Sequence, residues 1–147
     1  MSILNDTISA PASYQLDEQV GYLLRLVSQR HALIFQDNIS EDLTPTQFSA
    51  LVRVAEHGKL SQNQLGRLSA MDTATIKGVV DRLRQKGLLE TNSDPKDKRR
   101  FIVSLTDAGA AIVENLRRDG KVISEATLAP LKPAEQKRLL DLLRKMV

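Results

Sequence analysis

At 147 residues, with 41% hydrophobic and 27% charged side chains, the chain has the length and composition of one globular domain able to build a real core. It has no cysteine, which excludes disulfides, thiolate catalysis, zinc-finger sites and thiol-based redox sensing. No run approaches the ~18 apolar residues of a membrane span. The net charge is only +3, yet residues 58–105 hold ten Lys/Arg against five Asp/Glu, leaving the rest of the chain net acidic. A basic excess gathered in one stretch is the electrostatic footprint of a nucleic-acid-binding surface. Aromatics at 3% argue against a stacking platform for single strands. Two distant histidines, with no glycine-rich phosphate loop, leave no catalytic constellation to name, so neither an enzyme nor a cofactor or metal is expected.

In chain order, residues 1–15 carry Pro11 and small polar groups and read as a loose arm. Met1 to Ser13 lacks the basic start and long apolar run of a secretory signal, so the protein is expected in the cytoplasm. A long helix follows from Leu16 to about Ile39. Val20, Leu23, Leu24, Val27, His31 and Ile34 fall on one stripe with Phe35 beside it, and Asp17 and Glu18 suit the positive end of its macrodipole. His31 interrupts the stripe: it is a satisfied core histidine, a subunit contact, or a polar group facing a ligand pocket. Thr44-Pro45-Thr46-Gln47 then opens a second helix with a capping box and proline at its first position. Its predicted buried face is Phe48, Leu51, Val52 and Ala55. His57 reads as a C-terminal cap, Gly58 ends the helix, and Arg53 reads as solvated.

From Ser61 to Leu105 come two short helical patterns and a basic hairpin. Ser61 and Gln64 form a capping box, Leu60 and Leu65 have staple spacing, and Leu65 and Leu68 are the anchors of a short helix. Asp72 caps the next one, which runs to about Lys86, where Gly87 supplies a left-handed residue. Ile76, Val79, Val80 and Leu83 share its buried face. Thr73, Ala74, Lys77, Gly78 and Asp81 lie opposite, with Thr75 at the edge. Taken alone, that small and polar face fits entry into a major groove and an ordinary solvated surface equally well. The hairpin favours the groove. Leu88–Thr91 and Phe101–Leu105 are β-prone, the second placing Phe101, Val103 and Leu105 on one face. The connection between them, Asn92 to Arg100, has four basic residues in its last five positions, where a wing meets the minor groove and phosphates. Asp97 is placed to orient Arg99.

Thr106 caps a further helix with Ile112, Val113, Leu116 and Ile123 inward, and Gly120 within it marks a kink or a close crossing. Pro130 and Pro133 precede a last helix bearing Leu139, Leu140, Leu142, Leu143 and Met146. That is more apolar surface than a free terminal helix carries, and it needs a partner.

The run DPKDKRR followed by SLTDAG, after a helix ending VVDRLRQKGLLE, resembles the MarR family of bacterial transcription regulators. Asp97-Lys98-Arg99 matches the family's wing pattern, and Leu105-Thr106-Asp107-Ala108-Gly109 the start of the helix after it. One departure is Gly78, where many relatives carry arginine. The resemblance implies a mainly α fold: a winged helix-turn-helix with a dimerisation bundle formed by the N- and C-terminal helices. The expected division is 16–42 and 106–147 for dimerisation and 43–105 for DNA binding. The implied function is a homodimeric regulator of double-stranded DNA, a repressor released from a palindromic operator by a small ligand, with no membrane association. Thr73, Ala74, Thr75 and Lys77 are the candidate groove contacts, Arg99 the minor-groove contact, and Arg82, Lys98 and Arg100 the phosphate contacts. The ligand class implied is a small aromatic carboxylate, for which Arg30, His31, Phe35 and Phe48 are the candidates. A DNA-binding module of the same fold without an effector is the alternative.

Overall fold

The computed structural model describes residues 13–147. Of the arm expected over residues 1–15, only Ser13, Tyr14 and Gln15 lie among them, and all three are exposed. In chain order the elements are a 3₁₀ turn at Leu16–Glu18, α1 (Val20–Asn38), α2 (Pro45–His57), β1 (Lys59–Ser61), α3 (Gln62–Leu68), α4 (Thr73–Gln85), β2 (Leu89–Ser93), β3 (Phe101–Leu105), α5 (Asp107–Leu128) and α6 (Pro133–Lys145). Asn38–Leu128 forms one compact unit, and the described residues before Asn38 form another with Ala129–Val147. Among the described residues, no helix is long and apolar enough to cross a membrane.

The larger unit is built from local signals that agree with one another. Thr44 Oγ1 accepts from the Gln47 amide (3.3 Å) while Gln47 Oε1 accepts from the Thr44 amide (3.2 Å), closing the expected capping box at the start of α2. Ser61 and Gln64 repeat it at α3 (3.1 and 3.0 Å), and Asp72 Oδ1 accepts from the Thr75 amide (2.7 Å) at α4. Gly87 has φ +74°, and its carbonyl accepts the Thr106 hydroxyl (2.6 Å). The core joins Leu51, Val54, Leu65, Ile76, Val80, Leu83, Val103 and Leu116.

The small sheet has the order β1-β3-β2, antiparallel throughout. β1, which the sequence reading did not predict, pairs Leu60 with Val103. Three residues carry no alternation to detect, and Ser61 already signals a helix start. Of Phe101, Val103 and Leu105, expected on one face of β3, Val103 is fully buried and Phe101 is 51% exposed. It stands at the far end of β3 opposite Ser93, beyond the core that covers Val103.

The face of α2 also differs from expectation. Its buried residues are Gln47, Ala50, Leu51 and Val54, whereas Phe48, Val52 and Ala55 are half-buried. Leu51 belongs to both sets. Periodicity undervalues Ala50 and treats Gln47 as polar surface, yet Gln47 spends its oxygen on the cap and on Lys86 Nζ (3.3 Å). Phe48 instead meets α5, where a Cβ at Gly120 would lie 3.0 Å from its Cζ. Gly120 therefore marks a close crossing. On α3, Leu65 is fully buried but Leu68, the other expected anchor, is 40% exposed, because it ends the helix at the rim of the core. Arg53 is not simply solvated: its Nε donates to the Leu68 carbonyl (2.9 Å) and Nη1 reaches Glu56 (3.2 Å), so it closes the C-terminal end of α3.

In α5, Val113, Leu116 and Ile123 are buried. This helix, grouped with the dimerisation elements on sequence grounds, clusters with the larger unit through its contacts with α2 and β3. The Asp119 carboxylate also accepts from the Ser40 amide (2.9 Å) and hydroxyl (2.6 Å).

In the terminal unit the helix expected from Leu16 begins at Val20 instead. Gln19 is extended (ψ 137°) and separates α1 from the 3₁₀ turn. Asp17 and Glu18 lie in that turn, so α1 has no acidic residue in its first turn. Of the stripe on α1, Val20, Leu23, Leu24 and Val27 are exposed, His31 and Ile34 half-buried, and Phe35 alone buried. No residue of α6 is buried, and Leu140, Leu142, Leu143 and Met146 are exposed.

Candidate nucleic-acid interface

The stripe Ile76, Val79, Val80 and Leu83 is buried as expected, which turns the other side of α4 to solvent. Thr73, Ala74, Thr75, Lys77 and Arg82 are all exposed and Gly78 and Asp81 partly so. The Asp72 cap fixes where this helix starts. Its carboxyl is held below its ordinary pKa, chiefly by the hydrogen bond from the Thr75 amide, so it is the ionised form that caps. The turn between α3 and α4 needs Ala70 in the left-handed region (φ 54°), closed by the Met71 amide on the Gly66 carbonyl (2.8 Å).

The wing is a self-bonded loop rather than a loose basic run. The amides of Asp97 and Arg100 donate to the carbonyls of Asp94 and Asp97 (3.2 and 3.0 Å), and the Asp94 amide donates to Arg100 (2.9 Å). Asp94 Oδ1 accepts from the Lys96 amide (2.9 Å). Asp97 accepts from the Arg99 amide (3.1 Å), Nε (3.2 Å) and Nη2 (3.5 Å). Those bonds, the side-chain one first, lower the Asp97 pKa. An ionised Asp97 thus orients the Arg99 guanidinium while leaving it 91% exposed at the loop tip. Lys98 is exposed beside it, and Arg100 leans back toward Asp94 (4.0 Å).

The wing is tied to the helix behind it by residues whose role the motif alone did not explain. The Thr106 amide donates to the Leu88 carbonyl (3.1 Å), and the Thr106 hydroxyl accepts from the Gly109 amide (3.0 Å) while donating to Gly87. A Cβ on Gly109 would stand 2.2 Å from the Leu88 oxygen. The Leu-Thr-x-x-Gly run is therefore a clamp between the end of α4, the base of the wing and the start of α5.

Of the ligand candidates, Arg30 is exposed, His31 half-buried and Phe35 buried, all on α1 in the terminal unit. Phe48 belongs to the larger unit. There it borders a groove of about 350 Å³ with Val52, Arg53 and Leu68.

Helix, tight turn, outward-facing helix and a basic β-wing packed on one core define a winged helix-turn-helix, a class of protein that reads duplex DNA. The MarR family pattern matches residues 43–101. The chain is 42% identical over 135 residues to the HTH-type transcriptional repressor NicR of Pseudomonas putida, spanning 91% of this chain and 85% of that one. Its fold matches a probable transcriptional regulator from Pseudomonas aeruginosa (TM-score 0.88, 49% identity, 90% and 100% of the two chains). It also matches Bordetella bronchiseptica BpsR, whose DNA binding is regulated by 6-hydroxynicotinic acid (TM-score 0.86, 40% identity, 90% and 96%). The chain belongs to the MarR family of DNA-binding transcription regulators and is not an enzyme.

Proposed function

We propose that this regulator is a cytoplasmic homodimeric repressor, and that a small aromatic carboxylate releases it from a near-palindromic operator. Two copies would set α4 into successive major grooves about 10 bp apart. Thr73, Ala74, Thr75 and Lys77 then meet base edges, Arg99 enters the minor groove, and Arg82, Lys98 and Arg100 meet phosphates. The observation that carries this assignment is the outward polar face of α4, opposite a buried stripe and next to a wing whose Arg99 is held by Asp97. Residues 16–42 and 106–147 supply the dimer contacts. Support comes from the exposed apolar side chains of α1 and α6, which leave surface for a second copy. The repressor sign follows the name of NicR.

The two halves of the interface are separable by mutation. Lys98→Ala and Arg100→Ala are expected to weaken binding to all duplexes and to lower the salt slope by about one per lost phosphate contact. Thr75→Ala and Lys77→Ala are expected to cost roughly 1–3 kcal/mol on the operator and much less on random DNA. Parallel losses on both kinds of duplex would refute the assignment of α4.

For the ligand, 6-hydroxynicotinic acid is the first compound to test, because it regulates BpsR and is an aromatic carboxylate with a ring substituent. Arg30 would hold the carboxylate and His31 the ring hydroxyl, with Phe35 as an aromatic wall. Binding better to the arrangement that does not fit DNA is all that release requires. The compound is expected to lower operator affinity at least about tenfold, a differential binding of about 1.4 kcal/mol. Arg30→Ala and His31→Ala are expected to keep dimer and DNA affinity yet resist release. Normal release of both variants places the ligand elsewhere; no release of the unmodified protein by any aromatic acid makes it a constitutive module.

A further inference from the structure

Asp81 sits in the third turn of α4 with a cation on either side. Lys77 Nζ lies 3.0 Å from its Oδ2 and Arg84 Nη1 lies 4.0 Å from its Oδ1, while 42% of its side chain stays exposed. Ala74, Gly78, Asp81 and Gln85 follow one another at steps of four, three and four, so they form a line along the helix opposite the buried stripe. Ala74 and Gly78 offer no functional group. Asp81 and Gln85 are therefore the polar side chains of that line, and Asp81 is the charged one. It also borders, with Gln62, Thr91 and Phe101, a depression of about 190 Å³ between α4 and the base of the wing.

A carboxylate in that place is at odds with simple affinity for a polyanion, because each cation it holds is withheld from phosphate. The ion pairs are exposed and therefore weak and readily exchanged. An ionised carboxylate is an acceptor only, and the natural partner of an aspartate in the major groove is the amino group of cytosine. We propose that Asp81 is a specificity-determining residue of the interface: it accepts from a cytosine amino group in the operator and penalises duplexes that lack one. On an unmatched duplex, Arg84 turns to phosphates and the carboxylate faces negative charge with no donor from the bases. On a matched duplex the cytosine replaces the lost cation. The inference rests on α4 entering the major groove.

The test uses the full chain and duplexes that it selects from a random pool. Unmodified protein and Asp81→Asn are each put through the selection, and their affinities for the selected and a shuffled duplex are compared at two salt concentrations. Asparagine keeps the shape but carries no charge and adds an amide donor, so it no longer singles out cytosine from bases that present an acceptor; circular dichroism checks that the fold is retained. Asp81→Asn is expected to bind the shuffled duplex severalfold tighter, to discriminate about tenfold less, and to lose a cytosine preference at one base pair in each half-site. Lys77→Ala combined with Asp81→Asn is expected to be non-additive, as for a coupled pair. A merely structural residue would move both affinities together. Equal changes on both duplexes, or an unchanged cytosine preference, overturn the proposal. Unmodified protein that binds the shuffled duplex as tightly as the selected one overturns the groove placement of α4, and the role of Asp81 with it.

Discussion

Gly109→Ala is expected to destabilise the protein by about 3 kcal/mol, the upper end of what forcing an extra methyl group into a packed site costs. The added Cβ would lie 2.2 Å from the Leu88 carbonyl oxygen and 3.3 Å from Leu105 Cδ2. The first of these is backbone, so no rotamer change relieves it. Relief requires α5 to move away from the β2 end of the wing, and that breaks the Thr106 bonds to Gly87 and Leu88. In thermal melting this corresponds to a drop of about 10 °C for a chain of this size. Gly21 supplies the control, since it lies in α1 and, among the described residues, nothing stands within 4 Å of an added Cβ. Gly21→Ala removes only the entropy penalty of a helical glycine and is expected to stabilise by about 0.5–1 kcal/mol. Equal melting temperatures for the two variants would show that the clamp yields and that Gly109 is dispensable.

Removing α6 is expected to have the largest effect on function. The exposed Leu140, Leu142, Leu143 and Met146 are the apolar surface on which the proposed dimer depends. Deletion of Pro133–Val147 is expected to give monomer or aggregate in sedimentation. Operator affinity then falls by about a hundredfold or more, because linking two half-site contacts gains roughly 10²–10⁴ in avidity. Truncation can also expose surface non-specifically, so Leu140→Glu with Leu143→Glu is the sharper variant. Both side chains are exposed in the single chain, and charge there leaves the winged unit folded. A dimer that survives both changes would remove α6 from the interface.

The caps were legible in the sequence because they are written in adjacent residues. Thr44, Ser61 and Asp72 each answer an amide three positions on, and that spacing is visible without a fold. The stripe from Ile76 to Leu83 was legible for the same reason, since one helix period settles which side is inward. The pairing of Asp97 with Arg99 was also local, two residues apart.

What the sequence by itself determined, then, is what short-range spacing can encode: the order of helices and wing, the starts of α2, α3 and α4, and the polar face of α4 as the candidate reading surface. What only the tertiary structure decided are the contacts between residues far apart in the chain. β1 exists because Leu60 finds Val103. Arg53 has a task because the Leu68 carbonyl comes within its reach. The face of α2 turns by about one residue because Phe48 is drawn to the space that Gly120 leaves on α5. The reason for Gly109 appears only when Leu88 is brought against it, twenty-one positions up the chain. Periodicity reports one apolar side of a helix, but a helix packed on several neighbours has several inward sides. Which side wins is set by long-range close packing, and no run of adjacent residues records that.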